Sequence, residues 1–153
     1  MLQKKLDIKK HLQKLCKAQT LAVLCTHNRG GSYGSLVAFA NTDDLREIVF
    51  ATLRTTRKYA NLSADKNVAL LLDNRSNKTS DFRKATAATA MGKVREVAKR
   101  RNSRYLKRYL EKHPHLKEFV EAPSCALMVI TVEQYYVVNR FQQVMELHFT
   151  KKK

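Results

Sequence analysis

Three short runs rich in apolar and β-branched residues, separated by two turn signals, constrain the fold more than any other feature of the chain. The first run, LAVLCTH at 21–27, is followed by Asn28-Arg29-Gly30-Gly31, a sequence typical of a β-hairpin turn. The second run, SYGSLVAFA, leads to a turn cluster at 41–44, and EIVFAT follows at 47–52. This order predicts an antiparallel meander of three strands.

The segments on either side of the meander predict peripheral helices and a further strand. Near the N-terminus, apolar residues at mostly helical spacing indicate an amphipathic helix with a basic outer face: Leu2, Leu6, Ile8, Leu12 and Leu15. Thr55 or Thr56 can cap a short helix that carries Tyr59 and Leu62 on one face. NVALLLDN at 67–74 then predicts a buried strand.

The second half of the chain predicts more strands around one long helical region. Residues 75–82 are polar and loop-like, and 85–97 has strand character although its alanines also allow helix. Periodicity predicts a helix over 98–119 that breaks near Pro114, and three short strands close the chain at 125–132, 134–138 and 143–149. We therefore expect one domain over residues 1–150, mainly β with peripheral helices, as a mostly antiparallel barrel with a basic tail at 151–153.

The charge balance is strongly basic, because 30 Lys and Arg against 13 Asp and Glu give a formal net charge of +17. Such a charge favours encounters with nucleic acid, an anionic membrane or a phosphorylated ligand. No apolar run predicts a transmembrane helix, and the N-terminus lacks the apolar region of a signal peptide. Cys16, Cys25 and Cys125 are odd in number and widely spaced, which argues against a disulfide framework and for a reducing cytoplasmic compartment.

A basic and hydroxyl-rich segment, Arg54 to Lys58, lies where a strand is predicted to end and a helix to begin. Phosphate groups are bound by guanidinium, ammonium, hydroxyl and free N–H groups at a helix N-terminus. All four kinds of donor occur here within one turn, in the sequence RTTRK. The same residues also suit a helix cap with solvated basic neighbours, so residue types alone leave both interpretations open.

The order of these elements resembles the FMN-binding split barrel of the pyridoxamine 5′-phosphate oxidase-like family. Over residues 20–74 the chain has the family's two strands around a glycine turn and a third strand ending in Phe50-Ala51-Thr52. Thr56-Arg57-Lys58, a helix and the strand from Asn67 then follow in the family's order. MGKVREV at 91–97 and the later segments HPHLKEF and CALMVITVEQYYVV resemble the rest of its smaller members.

The resemblance implies an FMN cofactor and oxidoreductase chemistry, in which the flavin passes a hydride or electrons between a reduced donor and a small-molecule acceptor. It implies that Arg57 and Lys58 bind the FMN phosphate, helped by the hydroxyls of Thr52 and Thr56. It also implies that backbone groups line the isoalloxazine ring at Leu36, Val37, Ala38 and Ala51. In the family the site lies between the two subunits of a homodimer. Because the chain has no Trp, and its end lacks the family's Trp-containing substrate segment, it resembles a small member rather than a true pyridoxine phosphate oxidase.

Other binding functions stay open. Some heme-degrading split barrels use a C-terminal His as an iron ligand, which makes His148 a candidate if heme replaces FMN. A deazaflavin bound on the same barrel is a further alternative. A nucleic-acid-binding module is the alternative from another class, because basic residues alternate with Tyr105 and Tyr109 in the predicted helix: Arg100, Arg101, Arg104, Lys107 and Arg108. Those tyrosines also suit a face packed on the barrel. The spacing of His113 and His115 does not predict a metal site.

Overall fold

The computed structural model describes residues 1–139 and 143–151. Its helices are α1 (Leu2–Ala18), α2 (Arg57–Ala64), α3 (Asp81–Lys84), α4 (Arg104–Lys112) and α5 (Lys117–Glu121), with a 3₁₀ turn at Pro114–Leu116. Its strands are β1 (Leu21–Asn28), β2 (Gly31–Asn41), β3 (Glu47–Leu53), β4 (Asn67–Asp73), β5 (Ala87–Val97), β6 (Cys125–Asn139) and β7 (Gln143–His148).

Six antiparallel strands close into a barrel. The strands follow the order β3-β2-β1-β4-β5-β6-β7, and β3 also pairs with β6, which closes the ring and leaves β7 outside it. One edge of β6 is shared: residues 125–131 pair with β3, and residues 134–139 pair with β7. The predicted meander and the antiparallel barrel are both confirmed.

The inward side chains of the strands form one continuous core. Phe39, Phe50 and Tyr135 are fully buried there. α1 packs its apolar side onto the same core, near the start of β1, through Ile8, Leu12, Leu15 and Cys16. α2 packs at the opposite end of β1, where Nδ2 of Asn61 donates to Oγ1 of Thr26 at 3.0 Å.

The outer side of the barrel is covered unevenly. α4 and α5 pack on β3 and the first half of β6, and bury Val49, Leu127 and Val129 against Leu106 and Tyr109. Outward side chains in the central part of β2, β1, β4 and β5, bordered by Asp73 and Lys93, form what we call the open face, which consists of Leu36, Ala38, Leu21, Val23, Cys25, Ala69, Leu71, Thr89 and Met91. Within this face, 53% of Leu21, 65% of Leu36 and 37% of Met91 are exposed. None of these side chains is charged.

Three sequence-based boundaries were wrong. The helix predicted over 98–119 begins only at Arg104, because the hydroxyl of Ser103 accepts from the N–H of Leu106 and caps it there. The two strands predicted at 125–132 and 134–138 are one strand, because a β-bulge at Glu133 lets β6 continue past its break in alternation. The loop predicted at 75–82 ends in the short helix α3.

No helix among residues 1–139 and 143–151 is long and apolar enough to cross a membrane. Of the predicted basic tail, Lys152 and Lys153 lie outside the described residues.

Candidate functional site

A gap in strand pairing opens one edge of β2. On one side, β2 pairs with β1 along residues 31–38. On the other side, within the described residues, it pairs with β3 only at Phe39, Ala40 and Asn41. The edge of β2 from residue 31 to 38 therefore faces a split in the barrel, and its backbone donors and acceptors are not used by another strand.

The hairpin turn decides which backbone groups face this split. Arg29 and Gly30 both have positive φ, 50° and 76°, so a two-residue turn pairs Asn28 directly with Gly31. Because hydrogen-bonded pairs alternate along an antiparallel ladder, the backbone groups of Leu36 and Ala38 point to the split. Those of Val37 point to β1, and its side chain lies in the core with 4% exposed.

Ala51 lies across the split from Ala38. The N–H of Thr42 donates to the carbonyl of Glu47 at 2.9 Å, which fixes the alternation between β2 and β3. By that alternation the backbone of Ala51, the residue directly after the end of the ladder at Phe50, is turned towards β2. The split thus brings together the backbone groups of Leu36, Ala38 and Ala51.

The N-terminus of α2 is built by two threonine hydroxyls. The hydroxyl of Thr56 donates to the carbonyl of Leu53 at 2.8 Å and accepts from the N–H of Tyr59 at 3.3 Å. Thr56 uses its single hydroxyl proton in the bond to Leu53. The buried hydroxyl of Thr52, whose Oγ1 lies 2.9 Å from Oγ1 of Thr56, is therefore the donor between the two threonines. These hydroxyls therefore position the first turn of α2, whose N–H groups have no partner within the helix.

The segment from Arg54 to Lys58 contains three cations, and two of them, Arg57 and Lys58, have no carboxylate partner among the described residues. Arg54 forms an ion pair with Glu96 of β5 and also donates to the Tyr59 hydroxyl at 3.0 Å. Burial raises the pKa of Glu96, but hydrogen bonds from Arg54 and Tyr59 outweigh this and hold it below its usual value. Arg57 lies 5.7 Å from the centre of the Tyr33 ring on β2, and neither Arg57 nor Lys58 meets a carboxylate in the described part of the chain.

A buried polar network that the sequence analysis did not identify fixes α2 against the hairpin. Asn61 is 5% exposed and bonds to two residues of β1. Its Nδ2 donates to Oγ1 of Thr26 at 3.0 Å, and its Oδ1 accepts from Nδ2 of Asn28 at 3.3 Å. Thr26 in turn donates to the carbonyl of Tyr33 at 3.4 Å. The sequence signal for this network is Asn61 itself, a polar residue next to Leu62 on the side of the predicted helix that faces the barrel.

The other predicted candidates lie away from the split. Tyr109 is buried against the barrel, which confirms the packing interpretation for α4. Arg104 and Arg108 form ion pairs with Glu47 and Asp43. No cluster of three or more His, Cys, Asp or Glu that could hold a metal occurs in the described ranges.

Comparisons with known proteins agree with this architecture. The family model described as pyridoxamine 5′-phosphate oxidase matches residues 8–139. No curated protein matches the sequence. A heme-binding protein from Mycobacterium smegmatis superposes with a TM-score of 0.80 at 12% identity, over 92% of this chain and 57% of that one.

Two further structures resemble the chain over most of both lengths. An FAD-binding protein from Mesorhizobium loti has a TM-score of 0.67 at 15% identity, covering 84% of this chain and 90% of its own. A Clostridium acetobutylicum protein of the pyridoxinephosphate oxidase family, related to general stress protein 26, has a TM-score of 0.69 at 14% identity, covering 94% and 95%. At such identities these structures show the shared split-barrel fold. The family model spans most of the described strands and helices, and the chain therefore belongs to the pyridoxamine 5′-phosphate oxidase family.

Proposed function

We propose that the protein is a flavoprotein that binds FMN along the split between β2 and β3. The observation that carries this proposal is the junction of an unpaired strand edge with a helix N-terminus bearing two uncompensated cations, Arg57 and Lys58. A phosphate monoester carries about −1.5 to −2 charges at pH 7, which these two cations would balance. The backbone N–H groups of Arg57 and Lys58 would add hydrogen bonds, since the Thr56 cap uses only the N–H of Tyr59. Leu36, Ala38 and Ala51 would offer backbone donors and acceptors to the isoalloxazine ring.

A buried polar atom beside this edge supports the fit. Oγ of Ser35, the residue before Leu36, is buried and has no hydrogen-bond partner among the residues that the structure describes. An unpaired buried hydroxyl costs about 1–3 kcal/mol. A polar cofactor bound at this edge would remove that cost.

The cofactor would make the protein an oxidoreductase. FMN supplies hydride or electron transfer between a reduced donor and a small-molecule acceptor, while the protein supplies binding and orientation. The names of two structural relatives, one FAD-binding and one of the pyridoxinephosphate oxidase family, support a flavin. We place the protein in the reducing cytoplasm, where its three free cysteines would remain thiols.

We also propose that the protein works as a homodimer joined through the open face. A chain of net charge +17 repels a second copy over most of its surface, but the open face itself has no charged side chain, and the two at its border, Asp73 and Lys93, have opposite signs. Uncovered apolar sheets of this kind mark interaction surfaces. Since Leu36 belongs to both the open face and the split, the cofactor would lie next to the subunit boundary.

The visible absorption spectrum after incubation with FMN and dialysis tests the cofactor directly. We expect retained flavin bands in the wild type, and a loss of FMN affinity of at least a hundredfold in Arg57→Ala/Lys58→Ala, because two charge-assisted contacts of about 1.5–3 kcal/mol each are removed. Lys66→Ala/Lys93→Ala is the matched control, since both lysines are exposed and removing them lowers the net charge equally. Unchanged affinity in the first double variant would place the phosphate elsewhere.

A second candidate, heme, is favoured by one cleft. His148 of β7 lines a cleft of about 540 Å³ together with apolar side chains of α1 and β7 and with Lys4 and Lys5. These lysines would suit the carboxylates of a porphyrin, and a structural relative is named as heme-binding. His148 itself is exposed, with Nε2 at 2.7 Å from Oε2 of Glu146. A sharp heme-like absorption band that is lost in His148→Ala would favour heme over FMN. The absorption spectrum of a deazaflavin would instead indicate the proposed site at the split with a different cofactor.

A further inference from the structure

The outward side of α1 concentrates positive charge that no ion pair neutralises among the residues that the structure describes. The helix carries six lysines against a single acidic residue, Asp7. None of these lysines forms an ion pair in the described ranges. Lys10, Lys14 and Lys17 are exposed and follow one another at i, i+4 and i+7, so they form a single row along the helix. At 1.5 Å per residue this lysine row is about 10 Å long.

The opposite side of α1 is committed to the core, which makes the lysine row a fixed surface. Ile8, Leu12, Leu15 and Cys16 are all buried in the barrel. At the end of the helix, Nζ of Lys112 donates to the carbonyl of Cys16 at 2.7 Å and so ties α1 to α4. The helix cannot turn this apolar side into a lipid bilayer without opening the core, which argues against a membrane as the partner.

The composition around the lysine row argues against a protein partner. Protein interfaces have apolar centres and are depleted in lysine. From residue 9 to 18, the structure exposes no large apolar side chain on α1; Leu2 and Leu6 are exposed only in its first turns. A convex row of ammonium groups without an apolar centre is instead suited to the phosphates of a nucleic-acid backbone.

We propose that α1 binds the phosphate backbone of nucleic acid through Lys10, Lys14 and Lys17. The interaction is electrostatic and does not depend on base sequence, because ammonium groups on a helix ridge read charge and spacing only. It uses a different surface from the proposed phosphate site at the N-terminus of α2, since α2 packs at the far end of β1 from α1. FMN binding and nucleic-acid binding are therefore separable properties of the chain.

Fluorescence anisotropy with a fluorescein-labelled DNA duplex of about twenty base pairs tests the proposal on the full chain. Between about 50 and 200 mM salt, the logarithm of the wild-type association constant should fall linearly with log[salt]. In Lys10→Gln/Lys14→Gln/Lys17→Gln the slope should decrease by about 0.9 per lost phosphate contact, about 2.7 in all, and affinity at about 100 mM salt should fall at least tenfold. Glutamine keeps nearly the helix propensity of lysine, so α1 should remain folded.

A matched variant separates the lysine row from net charge. Lys66→Gln/Lys93→Gln/Lys117→Gln removes the same charge at exposed positions on other elements and should keep the wild-type slope. Asp7→Asn should act in the opposite direction and tighten binding, since Asp7 lies beside the row at i−3 from Lys10 and i−7 from Lys14. Equal losses in both triple variants would overturn the proposal, as would binding to anionic phospholipid vesicles but not to the duplex.

Discussion

His113 is a histidine held inside the protein by one polar contact. Its side chain is 2% exposed, and Nε2 lies 2.8 Å from the carbonyl of Phe39 on β2. Burial lowers its pKa from 6.5, although the hydrogen bond to Phe39 opposes this shift. The folded protein therefore keeps this ring neutral at pH values where the unfolded chain already binds a proton.

The pH dependence of stability follows from this difference. Because a lowered pKa means that the unfolded state binds more protons, His113 should cost stability as the pH falls below about 6.5. The contribution is at most about 1.4 kcal/mol per pH unit, the limit for one proton. Urea unfolding of His113→Gln between pH 7.5 and 5.5 should show a shallower loss of stability than the wild type. His11→Gln, the same change on the exposed side of α1 and away from His113, is the control, and a His113→Gln curve parallel to the wild type would contradict the prediction.

Among the elements, β6 depends most on a distant contact. Its bulge at Glu133 lies opposite the step from Met91 to Gly92 in β5. At Gly92 the two strands approach so closely that an added Cβ would lie 2.1 Å from the carbonyl oxygen of Thr131. A glycine is therefore needed where β5 passes the bulge, for reasons of space rather than of φ.

Gly92→Ala should destabilise the barrel by about 3 kcal/mol, because backbone atoms must shift to admit the methyl group. For a chain of this size the melting temperature should fall by about 6–12 °C. Gly34→Ala is the comparison: its Cβ would meet only Cγ1 of Val23, at 3.6 Å, and stability should stay near that of the wild type. Scanning calorimetry of the two variants decides, and similar melting temperatures would disprove the close-approach argument.

The elements that the sequence predicted well are those whose signals are local. The hairpin at Asn28–Gly31, the cap at Thr56 and the alternation in β4 each depend on neighbouring residues, and all are found in the structure. The bulge in β6 depends on Gly92, about forty residues away, and the sequence analysis did not predict it. The late start of α4 is an exception, because its signal, the cap at Ser103, is local and was overlooked. The site divides in the same way: the Thr56-Arg57-Lys58 turn was predictable, whereas the split and the Asn61–Thr26 contact arise only when distant strands meet.

At the scale of the whole molecule, the uneven cover of the barrel provides a test of the proposed homodimer. Met91→Lys puts a charge on the open face, and an interface through this face would have to bury that charge without a partner. We expect the dimer to dissociate at least tenfold more readily, as measured by light scattering after size-exclusion chromatography over a range of concentrations. Phe119→Lys changes an equally exposed apolar side chain on α5, at 37% in both cases, and should leave the dimer intact. A wild type that is monomeric at all concentrations would refute the dimer itself.

The split in the barrel also exposes the protein to a risk that a fully closed barrel avoids. A strand edge with unused hydrogen-bonding groups is a template on which another chain can add a strand. Residues 31–38 contain neither proline nor a charged side chain, the two devices that usually discourage such addition. A ligand bound along this edge would occupy the same donors and acceptors. In this protein, occupancy of the binding site and protection against aggregation would then depend on the same few backbone groups.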